Sequence, residues 1–140
     1  MCFDDDTISG YYDILLVCKQ KKGNWLKVIL NEAAHETVWV KTGRFVKLIQ
    51  WQHLPRLGAG MTVFMNRFPG NQIYPSPDES SAPIPYKGQD CFVILQVAGD
   101  WMQISNLNEE FCGTYEPPML EKGWIRFKNE EALLVNLSYW

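Results

Sequence analysis

The chain has 140 residues, 46% hydrophobic and 21% charged, a balance that fits neither a disordered nor a membrane-spanning polypeptide. Its formal net charge of −3 offers no concentrated basic face of the kind nucleic acid requires. No apolar run approaches the roughly 20 residues of a membrane helix.

The amino terminus, Met1-Cys2, is open to two readings. Either the chain begins close to a first strand at Phe3, or the cysteine remains from a lipoprotein processing site. Asp13 to Cys18 is a continuous apolar run, and Lys21-Lys22-Gly23-Asn24 supplies the punctuation of a hairpin. Trp25 to Ile29 resumes as its partner strand. After a polar break at Asn31 to Glu36, Thr37-Val38-Trp39-Val40-Lys41 is rich in β-branched and aromatic residues, which favour strands. A turn at Lys41 to Arg44 leads to a last strand, Phe45 to Trp51, which closes a first unit of residues 1–52.

Residues 53–70 read as an ordered connector, with breakers at Pro55, Gly58, Gly60, Pro69 and Gly70 around one strand, Met61 to Met65. Its apolar content separates it from a flexible linker, which is Gly/Ser-rich or charged. A second unit, 71–140, opens with Ile73-Tyr74 and a loop, Pro75 to Ser81, whose prolines forbid a central strand. A short extended stretch, Ala82 to Tyr86, turns at Lys87 to Asp90. The apolar run Cys91 to Val97 follows, with a hairpin tip at Ala98-Gly99-Asp100 and a return strand at Trp101 to Ser105. Residues 106–122 form a polar insertion holding Phe111, Cys112, Tyr115, Pro117 and Pro118, and loop insertions are common places for function to collect. Gly123 to Phe127 is a strand, Asn129 to Ala132 a short turn of helix, and Leu133 to Tyr139 the closing strand.

Two phrases repeat: Gly23-Asn24-Trp25-Leu26-Lys27-Val28 and Gly99-Asp100-Trp101-Met102-Gln103-Ile104. Each follows an apolar run and precedes a second Trp beside a β-branched residue, Trp39-Val40 and Trp124-Ile125. A self-similar order of this kind implies a duplicated small β-unit. Units of about 60 residues are marginal alone, which favours two that pack together.

Ile73-Tyr74-Pro75-Ser76-Pro77, the Gly88 turn, Val93-Ile94-Leu95, Gly99-Asp100-Trp101 and Gly123-Trp124-Ile125 together resemble the bacterial Src-homology-three (SH3b) family. The match covers residues 71–140. Residues 3–51 look like a diverged copy, through Gly23-Asn24-Trp25 and Val38-Trp39-Val40, with a short opening loop, Asp4 to Thr7, that lacks the prolines. The resemblance implies an all-β chain of two small antiparallel barrels, each of about five strands in two near-orthogonal sheets. It also implies a non-catalytic binding module of a bacterial envelope protein, in the periplasm or at the cell surface, a cytoplasmic place remaining open. Its partner would be a peptide, a peptidoglycan fragment or another protein, without nucleic acid or cofactor. The other reading in this class is a scaffold pair within a larger assembly.

By the same analogy Tyr74, Tyr86, Trp101 and Trp124, with Tyr115 from the insertion, would line an aromatic groove. Flat apolar faces suit extended proline-rich peptides and sugar rings. Each Trp has a competing role as a staple between core and loops, so Tyr74, held outward by its proline loop, is the stronger groove residue. Trp25 and Trp39 are expected to be structural.

His35-Glu36 with Cys18 upstream has the residue types of a cysteine hydrolase, a thiolate nucleophile with an imidazole base and a carboxylate. A buried strand cysteine is poorly placed for attack, and no local signature surrounds it. The four cysteines, Cys2, Cys18, Cys91 and Cys112, form no C-x-x-C pair. Disulfides are possible but not required: unpaired, Cys18 and Cys91 in their apolar runs are expected as small buried hydrophobes, and Cys112 in the polar insertion as exposed. With two histidines and no H-E-x-x-H the chain lacks material for zinc. The acidic pairs, among them Asp78-Glu79, lack the spacing of a calcium loop.

Overall fold

The two Trp phrases fold into the same device. In the structure, a computed structural model, strand β3 (Cys18–Lys22) meets β4 (Trp25–Asn31) across Gly23-Asn24, with Lys22 opposite Trp25. Strand β8 (Phe92–Ala98) meets β9 (Trp101–Ser105) across Gly99-Asp100, with Ala98 opposite Trp101. Gly23 and Gly99 have φ of 58° and 60°, whereas Asn24 and Asp100 do not share the positive φ. A positive φ at the first central residue only is the pattern of a II′ turn, whose twist matches that of the flanking strands. The second turn residue then locks the next strand: Asn24 O accepts from Thr42 N–H at 2.7 Å, and Asp100 O from Phe127 N–H at 3.0 Å.

The structure describes residues 2–4, 15–31, 33–44, 46–48, 50–56, 61–65, 70–107, 117–129 and 132–139. The chain divides into two units, residues 1–51 with residue 140, and residues 52–139. Both are antiparallel β-structures, and among the described residues the one helix is a 3₁₀ segment, Trp51–Arg56.

The first unit adds β1 (Cys2–Asp4), β2 (Leu15–Leu16), β5 (Glu36–Lys41) and β6 (Val46–Leu48). Its strands lie in the orders β2-β1-β6 and β3-β4-β5. Only Val17 separates β2 from β3, so a single run of chain serves both sheets. Side chains alternate between faces along a strand. Leu26 and Val28 of β4 are therefore wholly buried, against Leu16, Cys18, Val40 and Val46, while Trp25 and Lys27 point the other way.

The second unit adds β7 (Met61–Phe64), β10 (Gly123–Arg126) and β11 (Asn136–Tyr139), in the order β10-β9-β8-β7-β11. Strand β7 falls in the stretch read from sequence as connector, and it lies inside the sheet: Val63 faces Leu137 on one side and Phe92 on the other. Phe92, Met102, Ile104, Ile125 and Phe127 are buried apolar side chains of this unit. Gly123 leaves room for the buried Ile73, since a Cβ there would stand 2.3 Å from Ile73 Cγ2.

Both units share one strand order. The last strand pairs with the first, the first with the second, and the second leads a three-strand meander with the Trp hairpin at its centre. The all-β expectation is met by these antiparallel sheets. Closed barrels are not what the described residues form: β10 and β11, at the two margins of the second sheet, do not pair with each other. The free side of β10 is occupied instead by an isolated bridge from Tyr74 to Trp124.

Other departures are local. Of the strand expected over Phe45 to Trp51, β6 supplies Val46–Leu48, residues 45 and 49 lie outside the described residues, and Trp51 opens the 3₁₀ segment. Of the helical turn expected at Asn129 to Ala132, residues 130 and 131 lie outside the described residues, and a Lys128–Leu133 bridge closes the segment around them. There Asn129 N–H donates to Ala132 O at 3.0 Å, and Ala132 N–H donates to the Asn129 side chain at 2.7 Å. Cys91 is disulfide-bonded, not an unpaired hydrophobe, whereas Cys18 is a half-buried free thiol. Cys112 and Tyr115 lie outside the described residues.

Candidate functional site

Strand register gathers three of the expected aromatics on one face of the second unit. Trp101 stands opposite Arg126 and Gln103 opposite Trp124. Tyr74 bridges Trp124 through paired backbone bonds of 2.8 and 2.7 Å. Residues directly opposite share a face, so Tyr74, Trp101, Gln103, Trp124 and Arg126 lie on one side and the buried Met102, Ile104 and Ile125 on the other.

These aromatics are not equivalent. Trp124 is 9% exposed and belongs to the packed interior, in keeping with the role of a staple. Tyr74 and Trp101 are half-buried, and their rings meet at a centroid distance of 5.6 Å and an interplanar angle of 86°. That T-shaped arrangement places the positive edge of one ring on the negative face of the other. The Tyr74 hydroxyl donates to Gln72 Oε1 at 3.3 Å.

Beside this pair is a cleft of about 300 Å³ lined by Tyr74, Gln72, Asn71, Glu79, Arg126 and Leu134. Asn71 shapes its floor by donating from Nδ2 to Arg126 O at 3.0 Å. Arg126 reaches Glu79 on the proline loop at 3.6 Å, with both side chains well exposed. The cleft therefore offers an aromatic wall and one charge of each sign.

The loop that carries Glu79 is held by its own side chains. Asp78 accepts from the Ser80 hydroxyl and, at 2.9 Å, from Ser80 N–H. These donors, first the Ser80 and then the Ser76 hydroxyl, hold the Asp78 carboxyl below its ordinary value of 3.8. Ser76 and Ser81 hydroxyls close the loop at 3.3 Å.

Tyr86 lies elsewhere. Its ring packs against Phe92 at 5.7 Å, and its hydroxyl donates to Gln89 O at 3.0 Å and accepts from Asn106 Nδ2. It borders a second cleft of about 500 Å³ whose other walls include Pro83, Ile84, Pro85, Phe92 and Met65. Gly88 is required beneath it, because a Cβ there would stand 2.2 Å from Pro118 O and 2.3 Å from the Tyr86 hydroxyl. Buried Asn106 also ties the two ends of the insertion, accepting from Leu120 N–H at 2.6 Å while its own N–H donates to Leu120 O at 3.0 Å.

Cys18 and His35 are not brought together. Cys18 stands opposite Val28, and its Sγ bonds to Gln20 O at 3.5 Å, while His35 is an exposed turn residue with φ of 52° beyond the Asn31–Glu36 pair. No helix among the described residues is long and apolar enough to cross a membrane.

Sequence reasoning missed a face of the first unit. Trp25 and Trp39, expected to be structural, are 48% and 39% exposed. Register sets Lys41 opposite Trp25 and Lys27 opposite Trp39, on the face turned away from the Leu26–Val28 core. Alternation along Trp25-Leu26-Lys27-Val28 was the signal that could have found it, since it puts Trp on the side opposite the aliphatic core. No protein-family model, curated protein or solved structure matches this chain.

Proposed function

We propose that the chain is a non-catalytic recognition module of a bacterial envelope protein, made of two SH3-like units, the second of which captures an extended peptide or peptidoglycan fragment. The observation that carries this reading is the half-exposed Tyr74–Trp101 pair beside the cleft of Glu79 and Arg126. Aromatic faces bind an extended chain or sugar ring at low entropic cost, and a carboxylate and a guanidinium at one end fix its direction. Peptidoglycan stems carry both amines and carboxylates, which suits that pair of charges.

The shared strand order supports the reading of each unit as SH3-like, with one run of chain serving two sheets in the first. The Cys91 disulfide supports a place outside the reducing cytoplasm, where such bonds persist. The scaffold reading draws on Trp124, whose burial removes one aromatic from any open groove.

Co-sedimentation with purified peptidoglycan sacculi tests the proposal. The full chain should pellet with sacculi, and Tyr74→Ala and Trp101→Ala should each weaken this about tenfold while keeping the β-sheet circular dichroism of the parent. Absence of pelleting by the parent chain, together with no binding of soluble stem peptides, would refute it.

A further inference from the structure

We infer that the outer face of the first unit's β3-β4-β5 sheet is a second binding site, for an acidic polysaccharide. It goes beyond the peptide or peptidoglycan capture proposed for the second unit and uses none of the same residues.

The face is a checkerboard. One cross-strand row runs Lys22, Trp25, Lys41 and the next runs Gln20, Lys27, Trp39. Directly opposite side chains in adjacent strands lie about 5 Å apart, so each indole has an ammonium as its immediate neighbour. Among the described residues Lys22, Lys27 and Lys41 form no ion pair, and both indoles are open to solvent. Two large aromatics at 48% and 39% exposure on the outward side of a sheet are costly to leave bare.

The occupant must present flat apolar faces alternating with negative charge. Sugar rings stack their C–H faces on indole, and uronate carboxylates between them meet the lysines. Nucleic acid is a poorer fit, because its binding needs a concentrated basic face and the chain as a whole carries −3. The face holds lysines and no arginine, hence point charges without the bidentate fork that favours phosphate. An anionic bilayer is also a poorer fit, because each indole is flanked by lysine and the face offers no continuous apolar stripe to bury among lipids.

Titration of the full chain with hyaluronate, in which acidic and neutral sugars alternate, tests this by tryptophan fluorescence and calorimetry. Binding should be saturable and should weaken at least about tenfold between low and 0.5 M salt as the ammonium–carboxylate attraction is screened. Trp25→Ala with Trp39→Ala, and separately Lys27→Gln with Lys41→Gln, should each lower affinity about tenfold or more, and Lys27→Arg with Lys41→Arg should restore it. Neutral dextran should not bind. The inference is overturned by no binding of hyaluronate, by equal binding of the paired Trp variant, or by tighter binding of oligothymidylate or phosphatidylglycerol vesicles. All variants lie in the first unit, so failure here leaves the sacculus result for Tyr74 and Trp101 intact.

Discussion

The rings of Tyr74 and Trp101 meet nearly at right angles, 5.6 Å between centroids, although the two residues lie on opposite sides of β10 in the sheet. Contacts of this kind contribute about 0.5–1.5 kcal/mol beyond area burial. A double-mutant cycle with Tyr74→Ala and Trp101→Ala, read by urea unfolding, should return a coupling energy in that range. A coupling of zero would show that the two rings act separately.

Two tryptophans at matching places in the repeat should respond differently to truncation. Trp124 is 9% exposed and Trp39 is 39% exposed. Trp124→Ala removes a buried indole and should cost about 3–5 kcal/mol, whereas Trp39→Ala should stay within about 1 kcal/mol. Denaturant midpoints of the two variants decide the matter, and equal losses would contradict the burial described.

Asn106 holds both ends of the insertion and the Tyr86 hydroxyl. Asn106→Ala leaves the buried Leu120 N–H without its side-chain acceptor, a loss of about 1–3 kcal/mol. Hydrogen exchange at the Leu120 amide should speed up more than at amides of β8 and β9. Unchanged protection at Leu120 would rule out the clamp.

Asp78 gives the proline loop a pH response. Hydrogen bonds from Ser80 and Ser76 favour the carboxylate, so the folded value lies below the ordinary 3.8. The carboxylate's contribution is therefore fully present above 3.8 and fades as pH falls through the lower folded value. Carbon-detected NMR titration of the Asp78 carboxyl should place its midpoint below that of an unfolded peptide, and Ser80→Ala should move it back up. A midpoint at or above the peptide value would contradict the loop geometry.

The hairpins were legible because their determinants are local: a glycine able to take positive φ, a polar residue after it, and apolar or aromatic runs on either side. Strand β7 was legible as a strand, but its place was not, since its partners Leu137 and Phe92 are distant in sequence. The same limit explains the tryptophans. Trp39 and Trp124 sit in similar phrases, and their burial is set by what lies over them; Tyr74 pairs along Trp124, while β5 has no further paired segment among the described residues. Of the aromatics singled out from sequence, Tyr74, Trp101 and Trp124 share a face, whereas Tyr86 belongs to the framework around Asn106 and Gln89. The Cys91 bond left no trace in cysteine spacing.

In each unit the opening strand is hydrogen-bonded to the closing one, β1 to β6 and β7 to β11. A ribosome therefore releases each first strand long before its last partner exists, and the central meander, which has all its partners nearby, can form while that strand waits. Folding of either unit is completed by a long-range zip, the slow kind of step. Because each strand order is short, both zips stay within their own stretch of the chain, so β1 can pair with β6 before β11 has been made.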